Sequence, residues 1–319
     1  MSDTIEPLIR IENLVKTFAA PGRRRVHAVN GISFDIRVGE TFSLVGESGC
    51  GKSTTGRLID HLIAPDSGSI YFQSRDITQL SDKQMRPLRA EMQMIFQDPN
   101  MSLNPRMRVE DAVAEPLRVH TDMNASARLK AARELLGIVG LSEKHAQRWP
   151  HEFSGGQRQR IGIARALTVH PKLIIADEPV SSLDVSIQAQ VLGLMQRLQK
   201  EFALTYLFIS HDLSVVEMIS DRIGVMYLGY LVEVATSRSL YAHPTHPYTQ
   251  ALLSAVPIPD PDAERSRVFL EGELPSAVNL PTGCPFVTRC PKKTDICAEK
   301  LPEMRNIAPG HSAACHHAG

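Results

Sequence analysis

The 319-residue sequence carries no excess of either charge: 35 Lys and Arg stand against 35 Asp and Glu, for a formal net charge of +0. That balance excludes a dedicated nucleic-acid binder, which needs a basic surplus to neutralise phosphates. No uninterrupted apolar run approaches the roughly 18 residues needed to cross a bilayer. The opening stretch Met1–Arg10 is mixed polar, with Asp3 and Glu6, and lacks the pattern of a secretory signal. A cytosolic chain is expected. No internal repeat is present, and the 43% hydrophobic and 22% charged composition excludes a disordered chain. The length is about twice the usual domain size of roughly 150 residues, which fits one large domain or two smaller ones.

What is present divides by texture. Thr41–Val45, Leu173–Ala176 and Thr205–Ser210 are short and wholly apolar or nearly so, the pattern of parallel strands buried on both faces. Ala125–Gly140 has helical period, with Leu129, Ala132, Leu135, Leu136 and Val139 on one stripe. Leu8–Phe18, Ala28–Ile36 and Gly68–Phe72 read instead as antiparallel strands between Gly and Pro turns. After Ala235 the texture changes: a helix is expected over Tyr248–Ala255 and a linker over Pro257–Asp262, with a domain boundary near residue 240.

Gly46-Glu47-Ser48-Gly49-Cys50-Gly51-Lys52-Ser53 fits G-x-x-x-x-G-K-[ST], with a strand before it and a helical pattern (Leu58, Ile59, Leu62, Ile63) after it. A triphosphate must be wrapped by backbone N–H groups at a helix N-terminus, and glycines let the loop curl without a Cβ clash. Lys52 suits the β and γ phosphates and the Ser53 hydroxyl suits Mg2+. Chance would produce this pattern in roughly one such chain in a hundred. Cys50 reads as a small structural side chain. A second feature is the buried run Leu173–Ala176 ending in Asp177 and Glu178, whose side chains start in opposite directions: one can support a cation while the other faces a water. Alone it would be two solvated acids at a strand end.

Phe153-Ser154-Gly155-Gly156-Gln157 is similar to the signature motif of ABC-type ATPases, with Phe in the first position where Leu is usual. Gln97 resembles the Q-loop glutamine, Ser182-Leu183-Asp184 the D-loop, and His211 the switch histidine, all in family order over about residues 8–240. The resemblance implies an α/β fold: a P-loop (RecA-like) ABC ATPase core over 1–240 with an antiparallel β subdomain and an α-helical subdomain (about 98–165). It further implies ATP held by Phe18, Gly46, Glu47, Ser48, Gly49, Cys50, Gly51, Lys52, Ser53, Thr54, Gln97, Asp177 and Asp184. Ser154, Gly155, Gly156 and Gln157 would meet the γ-phosphate on a second subunit. Lys52, Gln97, Glu178 and His211 would be catalytic, with Glu178 as base or orienter of the water, and Ser53, Gln97 and Asp177 would hold Mg2+. Phe18 would stack on adenine; an ordinary core phenylalanine is the alternative. Ser154 is independently a good N-cap for the helical run that follows, and Trp149 reads as packing.

The gap of 101 residues from Ser53 to Ser154 leaves no room for the long coiled coil of chromosome-type relatives, and the chain has one cassette. His246-Pro247-Tyr248-Thr249-Gln250-Ala251-Leu252-Leu253, Ser102-Leu103-Asn104-Pro105-Arg106 and Gly283-Cys284-Pro285-Phe286 with Arg289-Cys290-Pro291 resemble the ATPases of oligopeptide/dipeptide permeases. That implies an importer of di- or oligopeptides, or of small cargo such as nickel or glutathione. The partners would be a second homologous ATPase, two membrane subunits and an extracytoplasmic binding protein, with this chain peripheral on the cytoplasmic face of the inner membrane. A soluble regulatory ATPase without a permease is the runner-up. Four of the five cysteines fall in the tail (Cys284, Cys290, Cys297, Cys315), spaced C-x5-C-x6-C-x17-C without C-x2-C hooks. Four thiolates can hold zinc or an iron–sulfur cluster. The resemblance favours 4Fe–4S in a small C-terminal domain over 241–319, while His316 and His317 keep zinc open, and unmetallated thiols are the third reading.

Overall fold

Every residue of Thr41–Val45, Leu173–Asp177 and Thr205–Ile209 is buried. Burial on both faces is why these runs lack the polar alternation of a half-exposed strand. In the computed structural model, which describes residues 6–98, 102–256 and 275–318, the strands follow in chain order. They are β1 (Ile9–Ala20), β2 (Arg24–Ile36), β3 (Thr41–Val45), β4 (Ser67–Phe72), β5 (Arg75–Asp76) and β6 (Met92–Ile95). Then come β7 (Leu173–Asp177), β8 (Thr205–Ile209), β9 (Arg222–Tyr227), β10 (Tyr230–Thr236), β11 (Arg305–Ala308) and β12 (His311–Ala313).

The first of two units holds residues up to Ile36, Thr41–Thr78 and those from Ser210 on. Its antiparallel sheet has the order β2-β1-β4-β5. β1 is paired on both sides, Ile9 opposite Ile36 on one and Phe72 on the other, and its apolar residues Ile9, Ile11 and Leu14 are buried. The unit's remaining strands run β11-β12-β10-β9-β3, with β3 and β9 parallel and the others antiparallel. Positive φ at Leu228 and Gly229 makes the tight turn from β9 to β10.

The second unit holds Arg37–Glu40 and Gln79–Ile209. β6, β7 and β8 pair in parallel, Met92 opposite Leu173 and Leu173 opposite Thr205. Its longer helices are Val109–His120, Ala125–Ile138, Gly155–Leu167 and Val185–Phe202. Asn124 caps the second by accepting the Ala127 N–H, and Ala132, Leu135, Leu136 and Val139 of the expected stripe are buried.

Past residue 240 the sheet of the first unit continues, because β12 pairs with β10, Glu233 opposite Ala313. The fully buried Glu233 carboxylate is satisfied by the N–H groups of Thr245 and His246 and by His311 Nε2 at 2.7 Å. The expected short helix is Pro247–Ser254; the expected linker Pro257–Asp262 lies outside the described residues. His246 is its N-cap, its Nδ1 accepting the Tyr248 N–H at 3.1 Å.

Burial holds His246 neutral, with its pKa pushed down to about 3 from an ordinary 6.5. The unfolded chain therefore takes up a proton that the folded chain refuses as pH falls below about 6.5, and stability falls with it. Between pH 7 and pH 5 this residue should cost about 2 kcal/mol. Urea midpoints at the two pH values check this: His246→Asn, which can still cap, should lose that part of the pH dependence.

Candidate functional site

The phosphate-loop candidate leads from β3 into the helix Lys52–Ile59. Gly46 has φ +148° and a Cβ there would lie 2.2 Å from the Met226 carbonyl oxygen; Gly51 has φ +108° and its Cβ would lie 2.1 Å from Ala28 O. Neither position admits a side chain. The Lys52 ammonium is buried inside the loop, donating to Gly46 O at 2.7 Å and Glu47 O at 3.0 Å. Gly51 is the helix N-cap and brings no side chain over the first-turn N–H groups, which together with the helix dipole favour an anion. Cys50 is buried, and burial raises its thiol pKa; it stays a small neutral side chain, as its sequence position suggested. A cradle that a Cβ would fill, closed around a buried ammonium, fits a polyphosphate.

Two residues not singled out in the sequence brace this loop. Tyr248 Oη accepts the Glu47 N–H at 2.9 Å, and the Arg289 guanidinium grips the Glu47 carboxylate through both oxygens. Both lie in tail segments with the expected family texture, but no local signal ties an arginine to a residue 242 positions earlier. Elsewhere in this unit, His211 is exposed and directly precedes Asp212, which caps Leu213–Ile219 by accepting the Ser214 and Val215 N–H groups. Phe18 is 39% exposed with the Lys16 ammonium 5.5 Å from its ring centre, so the core-phenylalanine reading falls.

In the second unit Asp177 is buried at the end of β7 and Glu178 follows in the left-handed region, φ 46°. The Glu178 N–H is anchored on Ile209 O at 2.9 Å, and its carboxylate accepts Gln97 Nε2 at 3.0 Å. The structure thus joins two of the sequence-selected residues directly. Strain of this kind, about 1–3 kcal/mol, persists where surroundings over-determine it and clusters at functional sites. Ser154 caps Gly155–Leu167 through a reciprocal pair: Ser154 Oγ accepts the Gln157 N–H and Gln157 Oε1 accepts the Ser154 N–H. A Cβ on Gly156 would sit 2.3 Å from Ile187 Cγ2, and one on Gly155 would sit 3.3 Å from Leu183 Cδ2. Asp184, expected among the nucleotide ligands, is the N-cap of Val185–Phe202. The Ile187 N–H and the Ser186 hydroxyl donate to its carboxylate and hold its pKa below the ordinary value. Trp149 is 37% exposed under the Arg108 guanidinium rather than packed in a core.

Burial pushes the thiols of Cys284, Cys290 and Cys315 up, Cys284 to about 11. Cys297 Sγ lies 3.6 Å from His317 Nε2, whereas His316 Nε2 turns to Lys300 O at 2.8 Å. Among the described residues no group of three or more His, Cys, Asp or Glu side chains is placed to hold a metal ion. The placement of these side chains therefore supports neither the expected 4Fe–4S cluster nor zinc. Nor, among the described residues, is any helix long and apolar enough to cross a membrane.

Residues 29–181 match the family model "ABC transporter" and residues 232–297 match "Oligopeptide/dipeptide transporter, C-terminal region". The oligopeptide transport ATP-binding protein AppF of Bacillus subtilis is 56% identical over 294 residues, covering 91% of this chain and 89% of that protein. OppF of the same organism is 52% identical over 315 residues, covering 98% and 97%. A dimeric ATP-binding cassette solved in a post-hydrolysis state with ADP and Pi superposes with TM-score 0.66 at 30% identity, over 72% of this chain and 99% of that one. The glycine cradle around Lys52, the capped Ser-Gly-Gly-Gln helix and near-full-length identity above one half converge: this chain belongs to the ABC transporter family, in the oligopeptide transport ATP-binding branch.

Proposed function

We propose that this chain is the ATP-binding and ATP-hydrolysing subunit of an importer of di- or oligopeptides. The observation that carries the reading is the loop Gly46–Ser53, whose Gly46 and Gly51 accept no Cβ and whose centre is a buried ammonium. Relatives bearing the oligopeptide transport name match over nearly the whole chain, tail included, and that supports the peptide cargo.

In this reading the loop amides and Lys52 bind the β and γ phosphates. Phe18 offers an exposed aromatic face to adenine. Ser53, Gln97 and Asp177 supply the hard oxygen donors that Mg2+ takes; when bound, that ion would neutralise phosphate charge. Glu178 orients and deprotonates the attacking water, Gln97 holds the Glu178 carboxylate in place, and His211 contacts the γ-phosphate. The Ser154–Gln157 helix tip presents N–H donors to an anion on another subunit, so hydrolysis needs two cassettes. Asp184 contributes by fixing the start of its helix. The solved relative is itself a dimer. We infer further that the second cassette is a homologous subunit, and that two membrane subunits and an extracytoplasmic binding protein complete an assembly with this chain at the cytoplasmic face of the inner membrane. The division into a cassette over 1–240 and a tail over 241–319 is functional in this scheme, although the strands continue across it.

The tail cysteines suit a 4Fe–4S cluster in donor chemistry: Cys284, Cys290, Cys297 and Cys315 offer four thiols. Such a group would be structural or regulatory, since transport has no need of an electron.

Three outcomes follow from these assignments. Lys52→Ala should weaken ATP binding at least about ten-fold by removing the loop's cation; a titration giving native affinity would remove Lys52 from the site. Glu178→Gln should still bind ATP but turn over roughly 100- to 1,000-fold more slowly and accumulate as a nucleotide-bound dimer, seen by size-exclusion chromatography. Near-native turnover would exclude Glu178 as the base. Chain purified without oxygen should be brown, with iron and acid-labile sulfide in equal amounts; colourless protein, with zinc or with free thiols, would rule the cluster out.

A further inference from the structure

Glu47 is the second residue of the phosphate loop, and its carboxylate is an anion placed where the loop must accept anions. It is not left alone. Arg289 meets it as a bidentate pair, Nη1 donating to Oε2 at 2.8 Å and to Oε1 at 3.2 Å, and Nη2 donating to Oε1 at 3.1 Å. The guanidinium side chain is only 9% exposed and the carboxylate 28%, so bulk salt screens the pair weakly. A fork of this geometry gives direction as well as charge.

The same short segment makes a second, apolar anchor. Phe286 is fully buried and packs edge-on against Tyr227 at 5.2 Å and, tilted, against Tyr248 at 5.5 Å. Tyr248 in turn accepts the Glu47 N–H, and the residue before Tyr227, Met226, is the one whose carbonyl presses on Gly46. Segment 284–290 therefore reaches the phosphate loop twice, once through charge at Glu47 and once through the edge-on Tyr227–Tyr248 pair. Two of the four tail cysteines, Cys284 and Cys290, bound this segment.

We propose that Arg289 is a positioning residue for nucleotide binding: from the cysteine-bearing tail it neutralises and pins Glu47, and so sets the affinity of the phosphate loop for a triphosphate. The proposal rests on the nucleotide reading above and adds to it that a tail residue touching no phosphate tunes the site.

The charge argument makes the two single variants differ in sign, which a merely structural clamp would not. In titrations of the full chain with a fluorescent ATP analogue, Arg289→Gln should raise Kd roughly ten-fold, because it leaves a carboxylate uncompensated in the loop. Glu47→Gln should instead tighten binding by a few-fold, since the guanidinium then stands unopposed. The double variant should return to within about three-fold of the native value, because removing both charges restores the loop's net charge, and Arg289→Lys should recover part of the loss. The Arg289→Gln effect should be larger for an ATP than for an ADP analogue, following ligand charge. Weakening by both single variants with additive loss in the double would overturn the proposal in favour of packing alone, as would native ATP affinity in Arg289→Gln. Glu47→Gln keeps the test decisive even if Arg289 variants fold poorly. Failure of the native chain itself to bind the analogue would instead overturn the nucleotide reading.

Discussion

Two carbonyl oxygens set the terms on which the first unit is built. Met226 O and Ala28 O approach Gly46 and Gly51 so closely that a Cβ at either glycine would lie little more than 2 Å away. The loop is seated on backbone, from β9 on one side and β2 on the other, and backbone cannot rotate aside as a side chain can. The turn at Leu228–Gly229 completes the seat: Gly229 N–H donates to Cys50 O at 2.9 Å, Asn30 N–H donates to Gly229 O, and Asn30 Nδ2 donates to Leu228 O. Loop, hairpin turn and β2 thus form one run of hydrogen bonds. The position of Lys52 follows from it, since its ammonium is held by carbonyls of the same loop.

Much of this was legible from residue order. Thr41–Val45 is the strand expected, and the runs at 173 and 205 differ from it only at their ends. The phosphate loop and the Ser154 cap were readable because each is a local device whose donors and acceptors lie within a few residues. Asp184 carries two signals. Asp followed by a helical run is an N-cap by elementary rules, and the structure shows that cap, while the nucleotide contact implied by the D-loop resemblance involves a ligand outside the helix. Glu47 and Arg289 mark the true limit: nothing short-range couples positions 242 apart, and Arg289 carries only a family resemblance in the sequence, not a partner. The boundary near 240 was drawn from a real change in texture. Texture does not reveal that β10 pairs with β12, Glu233 opposite Ala313.

The tail's polar groups are arranged with equal care. Glu233, wholly buried, would be costly as a lone charge, but two backbone N–H groups and His311 close around it. The result fixes where residue 246 begins its helix, which fixes Tyr248, which holds a phosphate-loop amide. A satisfied carboxylate is linked in this way to the loop through three short steps of covalent chain and hydrogen bond.

Gly156 deserves a last mechanical reading. With Ile187 Cγ2 where its Cβ would be, the tip of the Ser-Gly-Gly-Gln helix and the opening turn of Val185–Phe202 mesh like two gear teeth with no clearance. Any side chain at position 156 would have to push aside the opening turn of an eighteen-residue helix before the Ser-Gly-Gly-Gln tip could keep its place.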